Sequence, residues 1–180
     1  MRGAAQLLLE HLPAVDEHHI LDIGTGRARD LEVFLEAGHR ATGIDVVEVE
    51  EWARIRATWG DRVHLAKTPF QRFETTDRYT GALDAGCLHH QQVSEYHEYL
   101  SKLHELMVPG GRCVISAFTP PDDRPMGGAI VLADQRINRE LSIYQLQQLL
   151  GNAGFRWLDA KRQPRDKLSS YYLLVLAERA

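Results

Sequence analysis

Cysteine is nearly missing from this chain. Two residues, Cys87 and Cys113, in 180 exclude a disulfide framework and a cysteine-built zinc site. Long hydrophobic runs are missing as well: none approaches the roughly 18 apolar residues that cross a bilayer. Leu7-Leu8-Leu9 stops at Glu10 and His11, which falls short of a secretory signal core. There is no basic run or stripe, and the net charge is −4, so neither nucleic acid nor a membrane is an expected partner. The nine histidines are scattered. The pairs His18-His19 and His89-His90 are adjacent, not spaced i,i+4 as ligands on one helix face would be, so no metal is expected. What remains is an ordinary globular composition, 44% hydrophobic and 26% charged, long enough for one domain over residues 1–180. A cytoplasmic setting is the default expectation.

Against that plain background one stretch stands out. Ile20-Leu21-Asp22-Ile23-Gly24-Thr25-Gly26-Arg27-Ala28 is followed by Gly43-Ile44-Asp45. It reads as strand, glycine turn, helix, then a second strand ending in an acid, the layout of a nucleotide-type cofactor site in an open α/β sheet. A dinucleotide would bring a pyrophosphate to the glycine turn, and Asp22, two residues before Gly24, would repel it. Arg29 also stands where the dinucleotide pattern needs its third glycine. S-adenosylmethionine (SAM) carries a sulfonium, an ammonium and a ribose diol but no phosphate. Asp22 suits its cationic end, and Asp45 can accept hydrogen bonds from the ribose hydroxyls.

The rest of the chain predicts an alternating pattern. A short helix runs over Ala4–His11. Strands fall at His19–Ile23, Arg40–Ile44, Val63–Ala66 and Gly81–Gly86. Helices fall at Arg27–Ala37, Val49–Trp59 and Ser94–Met107, the first two closed by Gly38 and Gly60. Val108-Pro109-Gly110-Gly111 makes a turn into a strand over Arg112–Ala117. A loop over Phe118–Leu141 leads to a helix at Ser142–Leu150, with Ser142 as N-cap. The last strands, Phe155–Arg162 and Tyr171–Glu178, are linked too briefly for a crossover helix and pair antiparallel. Together these give a doubly wound, mostly parallel seven-stranded α/β sheet with helices on both faces and an antiparallel last strand.

Asp22-Ile23-Gly24-Thr25-Gly26-Arg27-Ala28 resembles the first motif of the class I SAM-dependent methyltransferases, with Ala28 in place of the third glycine. Leu106-Met107-Val108-Pro109-Gly110-Gly111 resembles that family's helix–PGG–strand element. Leu149-Leu150-Gly151-Asn152-Ala153-Gly154-Phe155 resembles its lead-in to the sixth strand. The resemblance implies a Rossmann-like methyltransferase fold and SAM as cofactor, held by Asp22, Gly24, Thr25, Gly26 and Asp45, with Val46 on the adenine face. Relatives often carry an acid after the third strand for the adenine amino group. Here Lys67 or Thr68 stands there, so Thr68 Oγ or a main-chain carbonyl takes the role.

Asp84-Ala85-Gly86-Cys87-Leu88-His89-His90 looks like the family's exit from strand four. In one register Asp84 faces the methionine moiety or the substrate, and in the other it belongs to the core edge. His89 is the candidate general base, since imidazole titrates near neutrality; the alternative is that one of the two histidines packs at a helix start. Cys87 beside the cofactor is either a thiolate or a small buried side chain. Tyr96, Tyr99, Trp52 and Trp59 are read as core. Residues 118–141 are a lid, with Arg124, Met126 and Arg136 as candidate substrate contacts. Fewer than twenty residues precede strand one, so the cover comes from that loop or from a second copy in a homodimer. The expected activity is methyl transfer from SAM to an O, N or S atom of a small molecule. A SAM-binding subunit without activity of its own is the second reading, and a nicotinamide oxidoreductase is disfavoured by Asp22 and Arg29.

Overall fold

The computed structural model describes residues 2–121, 127–131, 133, 135, 137–164 and 171–180. Five helices, α1 (Arg2–Glu10), α2 (Arg29–Glu36), α3 (Glu51–Trp59), α4 (Tyr96–Leu106) and α5 (Ile143–Asn152), flank a sheet built from β1 (His19–Ile23), β2 (Arg40–Asp45), β3 (Val63–Lys67), β4 (Tyr79–Asp84), β5 (Met107–Thr119), β8 (Phe155–Pro164) and β9 (Tyr171–Arg179). The sheet order is β3-β2-β1-β4-β5-β9-β8. The β1–β2, β1–β4, β2–β3 and β4–β5 pairs are parallel, and β9 runs antiparallel to both neighbours. This is the expected doubly wound sheet. The strand order reverses at β1/β4, the position where open sheets of this kind bind ligands beyond their strand ends.

The apolar periodicity of the helices sorts them between the two faces. Leu31, Phe34 and Leu35 of α2 bury at i, i+3 and i+4. They pack with Ala5 and Leu8 of α1, Trp52 and Ile55 of α3, and the strand side chains Ile20, Leu83 and Val114. On the other face Tyr99, Leu100 and Leu103 of α4 and Leu146 and Leu150 of α5 cover Leu21, Ile23, Cys113 and Ile115. Each fully buried leucine or phenylalanine contributes about 1.5–3 kcal/mol of burial free energy. Ser142 caps α5 as expected, accepting from the Gln145 N–H, while the Gln145 side chain accepts from the Ser142 N–H.

Most element boundaries shift by one or two residues from the sequence expectation, and four departures have a physical reason or add an element. α2 starts at Arg29, two residues late, because Gly26 (φ 51°) and Ala28 (φ 58°) are left-handed; Ala28 takes a conformation in which glycine is the ordinary residue. β4 starts at Tyr79, whose buried ring sits where its backbone pairs with Met107, and it stops at Asp84 instead of running to Gly86. The PGG segment is a bulge within β5: Tyr79 pairs with Met107 and Gly81 with Arg112, and the residues between them loop out through a left-handed Gly110. Within residues 118–141 there is a short antiparallel hairpin of β6 (Ala129–Val131) and β7 (Ile137–Arg139), separate from the main sheet.

Candidate functional site

The glycine turn after β1 is knitted to the end of β2 by the Ile44 carbonyl and the Asp45 carboxylate. The Gly24 and Thr25 N–H groups both donate to the Ile44 carbonyl, at 2.8 and 3.0 Å. The Gly26 N–H donates to Asp45 Oδ2 at 2.9 Å, and the Val47 N–H to Asp45 Oδ1 at 3.0 Å. Trp52 is wholly buried, yet its Nε1–H donates to the Gly26 carbonyl at 2.7 Å. Composition marks that tryptophan as core; its indole N–H nevertheless holds the turn from below. Gly24 is left-handed at φ 72°, and a Cβ there would overlap the Cys87 sulfur. A Cβ at Gly43 would lie 2.9 Å from Thr25 Cγ2 and 2.8 Å from Leu65 Cδ2. Close approach favours glycine at both positions, and at Gly24 the left-handed φ favours it as well.

Asp22 lies under this turn, 1% exposed. Its donor among the described residues is Thr25 Oγ1–H, at 2.6 Å from Oδ2. Burial raises its pKa from 3.8 to about 7, against the Thr25 hydrogen bond, which lowers it. Asp22, Gly24, Thr25 and Gly26 line a depression that also reaches Arg27, Arg29, Asp30 and Ala85. It continues past Gly24 and Ala85 into a cleft of about 430 Å³ bounded by Asp45, Val46, Thr68, Phe70, Gln71, Cys87, His90 and Gln91. The structure therefore brings Asp22, Gly24, Thr25, Gly26, Asp45, Val46, Thr68 and Cys87 around one continuous groove. Two carboxylates and a set of carbonyls suit a cationic, phosphate-free nucleoside and would repel a pyrophosphate.

Two candidates need correction. Asp84 ends β4 next to the groove, but its carboxylate is consumed by the loop that follows. The N–H groups of Gly86, Cys87 and Leu88 donate to it at 3.0, 2.6 and 3.0 Å, and Tyr99 Oη–H donates at 2.7 Å. Burial pushes its pKa up, opposed by these donors. Its carboxylate is occupied in shaping the loop. His89 is 2% exposed, stacks against Phe118 (4.1 Å between centroids) and His90 (4.2 Å), and is not among the residues that line the groove. His90 is the histidine on the groove wall. Its Nδ1 lies 2.6 Å from the Ile137 carbonyl oxygen on β7. A carbonyl only accepts, so Nδ1 is protonated toward Ile137 and Nε2 is the ring nitrogen free of that bond.

Cys87 is no thiolate. Its Sγ–H donates to the Ile23 carbonyl at 3.4 Å, and burial, with Asp84 next in weight, pushes the thiol pKa well up. Thr68 lines the groove, but its Oγ1–H is turned to the Pro69 carbonyl at 3.3 Å. Gln71 and Gln91 also line the groove, and no motif singles them out. The candidates Arg124, Met126 and Arg136 lie outside the described residues.

The fold and groove define a Rossmann-like protein for a nucleoside-type cofactor, and comparison with known proteins narrows this. A methyltransferase-domain family model matches residues 2–160. The structure of the Burkholderia thailandensis 1,6-didemethyltoxoflavin-N1-methyltransferase, solved with 1,6-didemethyltoxoflavin and S-adenosylhomocysteine bound, is 39% identical; it superposes with a TM-score of 0.91, covering 99% of this chain and 77% of that one. A SAM-dependent methyltransferase from Mesorhizobium loti (20% identity, TM-score 0.73, 98% and 99% covered) and the glycopeptide N-methyltransferase MtfA (16%, 0.71, 98% and 92%) share the fold. No curated protein sequence matches significantly. The chain belongs to the SAM-dependent methyltransferase family, and S-adenosylmethionine is its cofactor.

Proposed function

We propose that this enzyme transfers the methyl group of S-adenosylmethionine to a nitrogen of a small heterocyclic molecule. The observation that carries the reading is a groove with a carboxylate at each of two adjacent strand ends, in a chain 39% identical over 99% of its length to an N1-methyltransferase of 1,6-didemethyltoxoflavin. In this reading Asp22 faces the cationic methionine end across the Gly24-Thr25-Gly26 turn. Asp45, which keeps acceptor capacity on both oxygens beyond its two backbone bonds, takes the ribose hydroxyls. Val46, 61% exposed at the groove edge, covers one face of the adenine, and Cys87 underlies the turn.

The cofactor supplies an electrophilic methyl group on a positively charged sulfur. The protein's part is chiefly positioning, holding the acceptor nitrogen in line with the methyl–sulfur bond. As the nitrogen lone pair forms the new bond and the sulfur keeps its electron pair, an acceptor N–H must lose a proton. Nε2 of His90, its tautomer fixed by the Ile137 carbonyl, is the group placed to accept it. The reading is of a cytoplasmic enzyme needing neither membrane nor nucleic acid, with the acceptor covered by residues 118–141 or by a second copy. No described helix is long and apolar enough to cross a membrane.

The test is incubation with SAM and a panel of ring-nitrogen heterocycles, among them 1,6-didemethyltoxoflavin, followed by mass spectrometry. A product heavier by one methylene, N-methylated and formed in step with S-adenosylhomocysteine, is expected. O- or S-methyl products only, or none while the cofactor binds, would overturn the acceptor assignment.

A further inference from the structure

The groove lacks the acid that relatives place after the third strand, and the residues occupying that region form an ordered relay. Gln91 Nε2–H donates to the Cys87 carbonyl at 3.0 Å. Since a carbonyl only accepts, the Gln91 amide cannot be turned around: its nitrogen must face Cys87 and its Oε1 must face the other way. That Oε1 accepts from Gln71 Nε2–H at 2.6 Å. The second amide is then fixed by the first, because a reversed Gln71 would set oxygen against oxygen. The consequence is directional. Gln71 lines the groove, and the amide atom that the relay leaves for a ligand is Oε1, an acceptor.

The segment carrying Gln71 is itself held firmly. Lys102 Nζ donates to the Gln71 carbonyl at 2.9 Å and lies 5.7 Å from the Phe70 ring centre, and Phe70 meets Tyr99 edge-on at 4.6 Å. Gln71 is therefore pinned at its backbone by α4 and at its amide by the loop after β4.

Sheet order says which end of the cofactor this acceptor meets. Asp22 belongs to β1, Asp45 to β2 and the Gln71 segment follows β3, and these strands are consecutive in the sheet. A nucleoside with its cationic tail at β1 and its ribose on Asp45 at β2 directs its base toward β3. We infer that Gln71 is the specificity-determining residue for the cofactor's base. Its Oε1 accepts from the exocyclic amino group, with Gln91 as the positioning residue that fixes its polarity. A neutral amide relay thus does what a carboxylate does elsewhere. The inference rests on the cofactor reading above and goes beyond it by naming a residue pair that no motif marks.

The experiment compares S-adenosylhomocysteine with S-inosylhomocysteine, in which a carbonyl oxygen replaces the amino group, by calorimetric titration of wild type, Gln71→Leu and Gln91→Leu. Oxygen facing Oε1 loses a hydrogen bond and adds repulsion, so wild type should prefer the adenosyl compound about tenfold or more. Gln91→Leu frees the Gln71 amide to turn and donate. The preference should then fall below about threefold, chiefly through tighter inosyl binding, which loss of structure would not produce. Gln71→Leu should weaken adenosyl binding and also remove the preference. An unchanged preference in both variants, each still binding S-adenosylhomocysteine, overturns the inference. Wild type that binds neither compound overturns the cofactor reading and the inference with it.

Discussion

Two buried aspartates, one strand apart, have opposite fates. Asp22 and Asp84 are each 1% exposed, and they sit at the ends of paired strands, with Ile23 opposite Asp84 in the register. Asp84 receives three backbone N–H groups and the Tyr99 hydroxyl, so every one of its neighbours depends on it. Asp22 receives one hydroxyl, from Thr25, and opens onto the groove. The first carboxylate is satisfied by the fold. Burial raises the pKa of both, that of Asp22 from 3.8 to about 7, but only Asp22 is short of donors among the described residues, a condition that a cationic ligand relieves. Saturation with internal donors marks an architectural acid, and a deficit of them marks one held for a ligand.

The comparison predicts opposite signs for two substitutions. Asp84→Ala leaves Gly86, Cys87 and Leu88 N–H and Tyr99 Oη–H without an acceptor, and should cost on the order of 3–5 kcal/mol in chemical denaturation. Cofactor binding should fail with it, because the loop carrying Gly86, Cys87 and Gln91 loses its anchor. A loss below about 1 kcal/mol would show that Asp84 is not the organiser of that loop.

Asp22→Asn should do the reverse to stability. Because the folded pKa of Asp22 lies above the unfolded value, the fold holds its proton more tightly than the unfolded chain does. The stability this proton supplies is complete below about pH 4 and is lost as pH rises through about 7. Above that, the ligand-free enzyme bears a buried carboxylate with one donor. Asparagine removes the charge, so at pH 8 the variant without ligand should be more stable by on the order of 1–3 kcal/mol. Its SAM affinity should fall roughly 30- to 100-fold, about 2–3 kcal/mol. Destabilisation at pH 8 would contradict the comparison.

A smaller effect follows from the same proton. SAM favours ionised Asp22, so binding below about pH 7 should release up to one proton. Affinity should then fall by as much as tenfold for each pH unit below that point. Calorimetry in buffers of differing ionisation enthalpy reads the proton count, and Asp22→Asn should abolish that component. A count near zero at pH 6 in wild type would mean that Asp22 is already ionised before the ligand arrives.

How much of this could be read from the chain depends on whether the determining contact is local. β1 appears at His19–Ile23 as expected, because an apolar run before a glycine turn is a local signal. The Ser142 cap with its Gln145 partner is legible for the same reason. The Gly24-Thr25-Gly26 turn and Asp45 lie together in the groove because motif spacing encodes a strand–turn–helix–strand path. β4 ends at Asp84, short of the expected Gly86, because Asp84 draws the next residues' N–H groups onto its own side chain, a choice that periodicity does not record. His89 and His90 cannot be told apart by sequence, since the decision rests on Phe118 packing against one and on Ile137 of β7 accepting from the other. The Gln71–Gln91 relay and the Trp52–Gly26 bond join residues 20 and 26 positions apart, with no composition signal at either end.

Cys87 joins the two aspartates physically and carries the smallest predicted effect. Its N–H donates to Asp84, while its sulfur fills the space beneath Gly24 and donates to Ile23, next to Asp22. If Asp84 alone organises the loop, the backbone N–H matters and the sulfur is filler. Cys87→Ala keeps the N–H and should cost about 1 kcal/mol for the lost packing and weak hydrogen bond, with S-adenosylhomocysteine affinity unchanged within about threefold. The half-buried thiol, its pKa pushed well up, should resist iodoacetamide at pH 8 in the folded protein and react once the protein is denatured. Rapid alkylation of Cys87 in the native state would mean that the loop opens without losing Asp84. The four bonds to that carboxylate would then be weaker than their geometry implies, and the contrast between a satisfied and an unsatisfied aspartate would lose its basis.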